Sequence, residues 1–198
     1  MSRTTTAPRT RAAALPPEER RAAIVAATLP LLREHGTALT TRQIARAAGI
    51  AEGTIFRVFH DKDELLGAAV EAAMDPAPTA AAIRGVDLGL PLEARLAAAV
   101  GILQRRVADL WQVMNAAGVR VPPGDQAARR RRDAPDLLAV AALVEPDRQR
   151  IDRDPLDAAI ALRSLTFACT HPALVVGEPS TPAEIVALLL DGIRTRRG

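Results

Sequence analysis

Residues 40–65 read TTRQIARAAGIAEGTIFRVFHDKDEL. Thr40-Thr41 stands before an apolar pair, Ile44-Ala45, as a helix-starting signal, and Gly49 supplies a stop. The spacing predicts a helix over Thr41–Ala48 that buries Ile44, Ala45 and Ala48. A turn at Gly49-Ile50-Ala51 follows, then a short helix from about Ala51 to Phe59. Asp61 as N-cap with Glu64 three residues on predicts a capping box opening the next helix. Two short helices around a glycine turn have the spacing of a helix-turn-helix. Ile50, Ile55 and Phe59 are its apolar anchors. With them buried, Glu52, Gly53, Thr54, Arg57 and His60 must point elsewhere. A helix so short is not stable by itself; held out by its neighbours, it fits a major groove.

The rest of the chain reads as helix on both sides of this stretch. Upstream, Pro16-Pro17-Glu18-Glu19 is a helix start with acids in the first turn. Ile24, Ala27, Thr28, Leu31 and Leu32 share one face, and Gly36 ends the helix. Pro30 lies inside it and predicts a kink or an irregular last turn. Downstream, Leu65, Leu66, Ala69, Val70 and Ala73 form the stripe of a fourth helix, which Pro76 and Pro78 stop. Residues 75–91 read as a loop-rich link. Leu92, Leu96, Ala99, Leu103, Val107, Leu110, Trp111 and Met114 then recur every three or four residues, with Gly101 as a candidate break. Leu137–Val144 is a buried helix ended by Pro146. Two last helices are predicted at about Leu156–Thr170 and Ala183–Arg196, with Pro155 and Pro182 at their starts. The first of these is apolar nearly all round, which requires cover on every side. A second copy of the chain is the economical cover, so a homodimer is predicted.

Composition agrees with an all-α protein: 48% of the 198 residues are apolar, supplied by Ala, Leu, Val and Ile, and only 2% are aromatic. The net charge of +3 is concentrated in residues 1–16, where Arg3, Arg9 and Arg11 occur without an acid. Such an arm reads equally as a phosphate-contacting segment and as a solvated terminus. The run Arg129–Arg132 reads chiefly as a solvated edge or loop. Cys169 is the sole cysteine and lies in an apolar run, where a buried inert thiol is expected. The longest apolar run is too short to span a bilayer, and the composition predicts a cytoplasmic protein. No HExxH, GxSxG, GxGxxG or P-loop pattern occurs. His35, His60 and His171 are isolated from one another, so neither a catalytic role nor a metal or other cofactor is predicted.

The run RRAAIVAATLPLLREHGTALTTRQIARAAGIAEGTIFRVFHDKDELLGAAV closely resembles the N-terminal domain of the TetR family of transcriptional regulators. The matching features are Gly36, Thr40-Thr41, Ile44-Ala45, Ala48-Gly49-Ile50, Gly53-Thr54-Ile55, Phe59, Lys62 and Leu65-Leu66. The resemblance implies an N-terminal three-helix bundle with a helix-turn-helix and a C-terminal helical domain for ligand binding and dimerisation. Residues 1–16 would be a flexible basic arm, 17–62 the DNA-binding domain and 63–198 the effector-binding and dimerisation domain. Thr41 and Lys62 match phosphate-contacting positions, Arg42, Gly53 and Thr54 positions near base edges, and Arg57 a variable position that touches DNA. Glu52 and His60 complete the DNA-facing set.

Two residues depart from the family pattern. Ala51 replaces a capping Ser or Thr, a cap worth about 1 kcal/mol. Phe56 replaces a phosphate-bonding tyrosine and faces the sugar edge without a hydroxyl. The last two helices would form the dimer interface through Leu162, Leu165, Ile185, Leu188, Leu189 and Ile193. Leu103, Val107, Leu110, Trp111 and Met114 lie on one stripe, with Met74 and Phe167 opposite and His171 at the rim. They read either as plain core or as the lining of a site for an apolar small-molecule effector. The function implied is a repressor of a double-stranded DNA operator released by that effector. The alternative is a helical carrier or enzyme with a vestigial helix-turn-helix.

Overall fold

The computed structural model describes residues 16–118 and 133–193. Residues 1–15 of the basic arm, the Arg129–Arg132 run and Arg196 lie outside them. The helices, in chain order, are α1 Pro17–His35, α2 Thr41–Ala47, α3 Glu52–Ile55, α4 Lys62–Met74, α5 Ala77–Arg84, α6 Leu92–Ala116, α7 Pro135–Val144, α8 Pro155–Ala168 and α9 Pro182–Ile193. Short 3-10 turns follow α1 at Gly36–Ala38 and α7 at Glu145–Arg150. Among the described residues there is no strand, and no helix is long and apolar enough to cross a membrane.

The apolar side chains collect into two cores. Ile24, Val25 and Leu32 of α1 pack with Leu39, Ile44, Ala45, Ile55, Phe59 and the α4 stripe from Leu65 to Val70. The second core is built from α5, the first half of α6, α7, α8 and α9. The 25-residue α6 belongs to both. Leu92, Leu96, Ala99, Val100 and Leu103 lie in the second core, whereas Val113 near its other end is wholly buried in the first. At 1.5 Å per residue this helix spans about 37 Å. Gly101 does not interrupt it. A Cβ there would lie 3.9 Å from Pro182, where α9 begins.

Several helices differ from the sequence reading. α1 continues through Pro30, which lies on an exposed side. Thr28 and Leu32, buried on either side of the proline, hold the helix against the core. It stops at Gly36, whose φ of +56° favours glycine. α3 is four residues long rather than about nine; the chain turns at Phe56–Val58 so that Phe59 enters the core. Residues 75–91 contain α5, which buries Thr79, Ala80 and Ile83. Pro76 and Pro78 had read as stops, but they occupy the N-cap and the first turn of α5, where no backbone N–H is needed.

Polar struts hold the second half together. Arg95, only 4% exposed, donates to the carbonyls of Leu88 at 2.9 Å and Leu90 at 3.0 Å and pairs with Asp147. Hydrogen bonds from Arg150 and then from Arg95 hold the Asp147 carboxyl below its ordinary value. Gln104 donates to the Ser180 carbonyl at 2.8 Å and to the Thr170 hydroxyl at 3.2 Å, tying α6 to the segment between α8 and α9.

The two phenylalanines of the opening stretch separate sharply, Phe59 being 1% and Phe56 51% exposed. Phe59→Ala should cost about 3–5 kcal/mol of stability, whereas Phe56→Ala should stay within about 0.5 kcal/mol of wild type. Urea unfolding followed by circular dichroism checks both; equal effects would contradict this packing.

Candidate nucleic-acid interface

Thr40 opens α2 with a reciprocal cap. Its hydroxyl accepts from the Gln43 N–H at 3.3 Å, and Gln43 Oε1 accepts from the Thr40 N–H at 2.8 Å. Gly49 leaves α2 in a left-handed conformation, φ +66°, and the Ile50 N–H returns to the Ala45 carbonyl at 3.0 Å. This turn sets the angle between α2 and α3. At the start of α3, Ala51 makes no side-chain cap, as its identity requires. A different tie is present: the Thr41 hydroxyl donates to Glu52 Oε1 at 2.5 Å, linking the first residues of the two helices.

Ile55 faces inward, while Glu52, Gly53, Phe56 and Arg57 are exposed and Thr54 is half-buried. Arg42 and His60 are also exposed. A Cβ on Gly53 would meet nothing within 4 Å, and its φ is not positive. Nothing within the protein therefore demands glycine at 53. Lys62 donates to the Thr37 carbonyl at 2.9 Å, so its ammonium sits where the turn after α1 meets the start of α4.

The start of α4 is built differently from the predicted capping box. Asp61 Oδ1 accepts from the Glu64 N–H at 2.8 Å, but the Glu64 carboxylate accepts from the N–H of His60, not of Asp61, at 2.7 Å. The Glu64 N–H, then His60, lower the Asp61 carboxyl below its ordinary value. The His60 N–H, then Arg21, do the same for Glu64. Arg21 is a residue the sequence reading missed. Its guanidinium reaches Glu64 at 3.2 Å and the Val58 carbonyl at 3.4 Å and lies 4.3 Å from the centre of the Phe59 ring. The only sequence signal was an arginine one turn before Ile24 on α1.

The predicted effector residues are divided by the structure. Leu103 is absorbed in the C-terminal core and Met114 is buried. Val107, Leu110 and Trp111 are half-buried, on the part of α6 between the two cores. Trp111 meets His171 edge-on at 4.5 Å, and Phe167 meets the same histidine at 4.7 Å. Those three aromatic side chains are therefore brought together. Met74 is exposed at the end of α4. A cleft elsewhere, of about 510 Å³, is lined by Ala141, Ala142, Glu145 and Pro146 and includes none of them. Of the predicted dimer residues, Leu162, Ile185 and Leu189 are buried in the protomer's own core. Leu165 is half-buried and Leu188 is 58% exposed; the side chain of Ile193 lies outside the description. Among the described residues no three His, Cys, Asp or Glu side chains gather as a metal site.

Three carboxylate contacts at this interface lead to measurable consequences. Asp61 and Glu64 have lowered folded-state pKa values, so their contribution is present above the unfolded values near about pH 4 and is lost as pH falls through the folded ones. Melting temperature should drop across that acid window, and less so in Asp61→Asn, which still caps the helix. Glu52→Gln removes a negative charge from the exposed surface while keeping an acceptor for Thr41. It should tighten non-specific DNA binding in fluorescence anisotropy, since repulsion from phosphates is relieved; weaker binding would contradict a DNA-facing Glu52.

Residues 24–69, from α1 into α4, match the model of the family described as bacterial regulatory proteins, tetR family. The whole-chain fold is similar to several solved structures. A TetR transcriptional regulator from Streptomyces coelicolor is 24% identical, with a TM-score of 0.53 over 88% of this chain and 98% of that one. A TetR-family transcriptional regulator from Haemophilus influenzae is 13% identical, with a TM-score of 0.55 over 90% and 98%. NalD, the secondary repressor of the MexAB-OprM multidrug efflux pump in Pseudomonas aeruginosa, is 22% identical, with a TM-score of 0.50 over 89% and 98%.

Proposed function

We propose, from the match of residues 24–69 to the model of bacterial regulatory proteins, tetR family, that the chain is a dimeric DNA-binding transcriptional repressor released from its operator by a small apolar effector. The observation that carries the reading is the surface of α3. Ile55 and Phe59 anchor the segment, while Gly53, Phe56 and Arg57 are left exposed. An unneeded glycine beside an arginine is what close backbone approach to DNA requires.

In this reading α3 enters the major groove. Gly53 and Thr54 approach base edges, with Arg42 beside them and Arg57 reaching a base or its phosphate. Phe56 packs on the sugar edge, and Thr41, His60 and Lys62 border the phosphates. The Thr41 hydroxyl then exchanges Glu52 for a phosphate oxygen, or keeps Glu52 turned as an acceptor toward a base amine. Two such heads engage half-sites about one helical turn, or a multiple of it, apart. The dimer forms through the last two helices, where Leu188 of α9 is exposed and Leu165 of α8 is half-buried. Leu162, Ile185 and Leu189 support that face from beneath.

The effector site lies along the middle of α6, at Val107, Leu110 and Trp111, with Phe167 and His171 against them. Effector binding favours a dimer whose heads are wrongly spaced, which requires different affinities for the two states. The location of Trp111 and Val113 on one helix supports this coupling, because motion at the site reaches the N-terminal core directly.

Electrophoretic mobility shift with genomic fragments tests the reading; a selective complex at low salt is expected, and its absence would sink the proposal. Arg57→Ala should cost about 1–3 kcal/mol of operator binding and relax selectivity, while Lys62→Ala should weaken all DNA alike and reduce the salt slope by about one. Apolar ligands that release the operator should also change the fluorescence of Trp111, the single tryptophan.

A further inference from the structure

Helix α3 is too short to fix its own orientation. It has four residues and no side-chain cap at Ala51. After it, only turn-type bonds continue: Arg57 N–H to Thr54 at 3.3 Å, and Val58 and Phe59 N–H to Ile55 at 2.9 Å. Burial of Ile55 and Phe59 holds the segment down, but hydrophobic burial is non-directional and leaves the rotation of the exposed edge open. Directional contacts must set where Phe56 and Arg57 point.

At the start of α3 the Thr41–Glu52 bond is one such contact; those at its far end converge on one side chain of α1. Arg21 Nη1 donates to the Val58 carbonyl at 3.4 Å and to Glu64 at 3.2 Å. Its guanidinium carbon lies 4.3 Å from the Phe59 ring centre, a cation–π stack. Glu64 passes the constraint on by accepting the His60 N–H at 2.7 Å. The backbone from Val58 to His60 is thus held from α1 and α4 together. Both hydrogen bonds leave from Nη1, and the Arg21 side chain is 37% exposed.

We propose that Arg21 is a positioning residue for DNA recognition: through Val58, Phe59 and Glu64 it fixes the orientation of the α3 edge without itself contacting DNA. This rests on the DNA-binding reading above. A phosphate-binding arginine and a merely stabilising one are the two competing roles. They leave different marks. Loss of a phosphate contact weakens every DNA and lowers the salt slope by about one. Loss of stability lowers the active fraction but leaves the ratio of specific to non-specific affinity unchanged. Loss of positioning lowers that ratio and leaves non-specific binding as it was.

The test compares wild type, Arg21→Ala, Arg21→Lys and Glu64→Gln in fluorescence anisotropy on the selected operator and on a scrambled duplex, across a salt series. Circular dichroism establishes the folded fraction of each variant. A wild-type protein without selective binding would fail the functional reading itself, before Arg21 is at issue. With selectivity in wild type, Arg21→Ala should lower the specificity ratio about tenfold, the scale of a lost charge-assisted bond. Its affinity and salt slope on scrambled DNA should be unchanged. Glu64→Gln should lower the ratio in the same way, and the double variant should lose less than the sum of the singles. Arg21→Lys should recover only part, since an ammonium lacks the planar fork that stacks and donates at once. A reduced salt slope on scrambled DNA, or an unchanged specificity ratio in Arg21→Ala, would overturn the proposal.

Discussion

Val113 is the residue on which the arrangement of the two halves depends. It belongs to α6, most of whose buried residues lie in the C-terminal core, yet it is wholly buried among side chains of the first four helices. A helix is stiff over its length, so a body that holds one end and a head that holds the other are not independent. The head cannot move away from α6 without exposing Val113 to water, at a cost set by the lost apolar burial.

A polar contact reinforces the same joint. Helix α4 has no basic residue in its last turn, where carbonyls lack partners. Arg106 of α6 supplies the donors: it bonds the carbonyls of Met74 at 2.8 Å and Asp75 at 2.9 Å and the Thr79 hydroxyl at 3.2 Å. The end of α4 and the start of α5 are thereby fastened to the middle of α6, close to Val107. In the proposed reading, an effector seated there would act on the helix that carries both fastenings. That gives the proposed release from DNA a mechanical route, with no element in between.

The head was legible because its constraints are local. A cap at Thr40, a left-handed glycine at 49 and an alternation of anchors and exposed residues from Ile50 to Phe59 all act within a few positions. Each is a property of residue type. The errors came where a local signal had two meanings. Pro76 and Pro78 signal a stop or a first turn with equal force, and only the burial of Thr79, Ala80 and Ile83 decides for α5. Phe59 asked for burial, and the chain gave up helix after Ile55 to provide it. Arg21 was invisible because its partners lie 37 to 43 positions away.

Periodicity and capping, encoded within one or two turns, were enough for an all-helical chain, a helix-turn-helix at residues 40–65 and the burial of Phe59, whereas the outward sense of Phe56 came from the family resemblance. Packing of the whole chain decided that Leu162, Ile185 and Leu189 belong to the protomer's own core, that α6 is shared between two cores, and that an arginine of α1 holds the chain after α3. A hydrophobic stripe specifies that it must be covered. Which surface covers it depends on where the other helices pack, and that is a property of the whole chain.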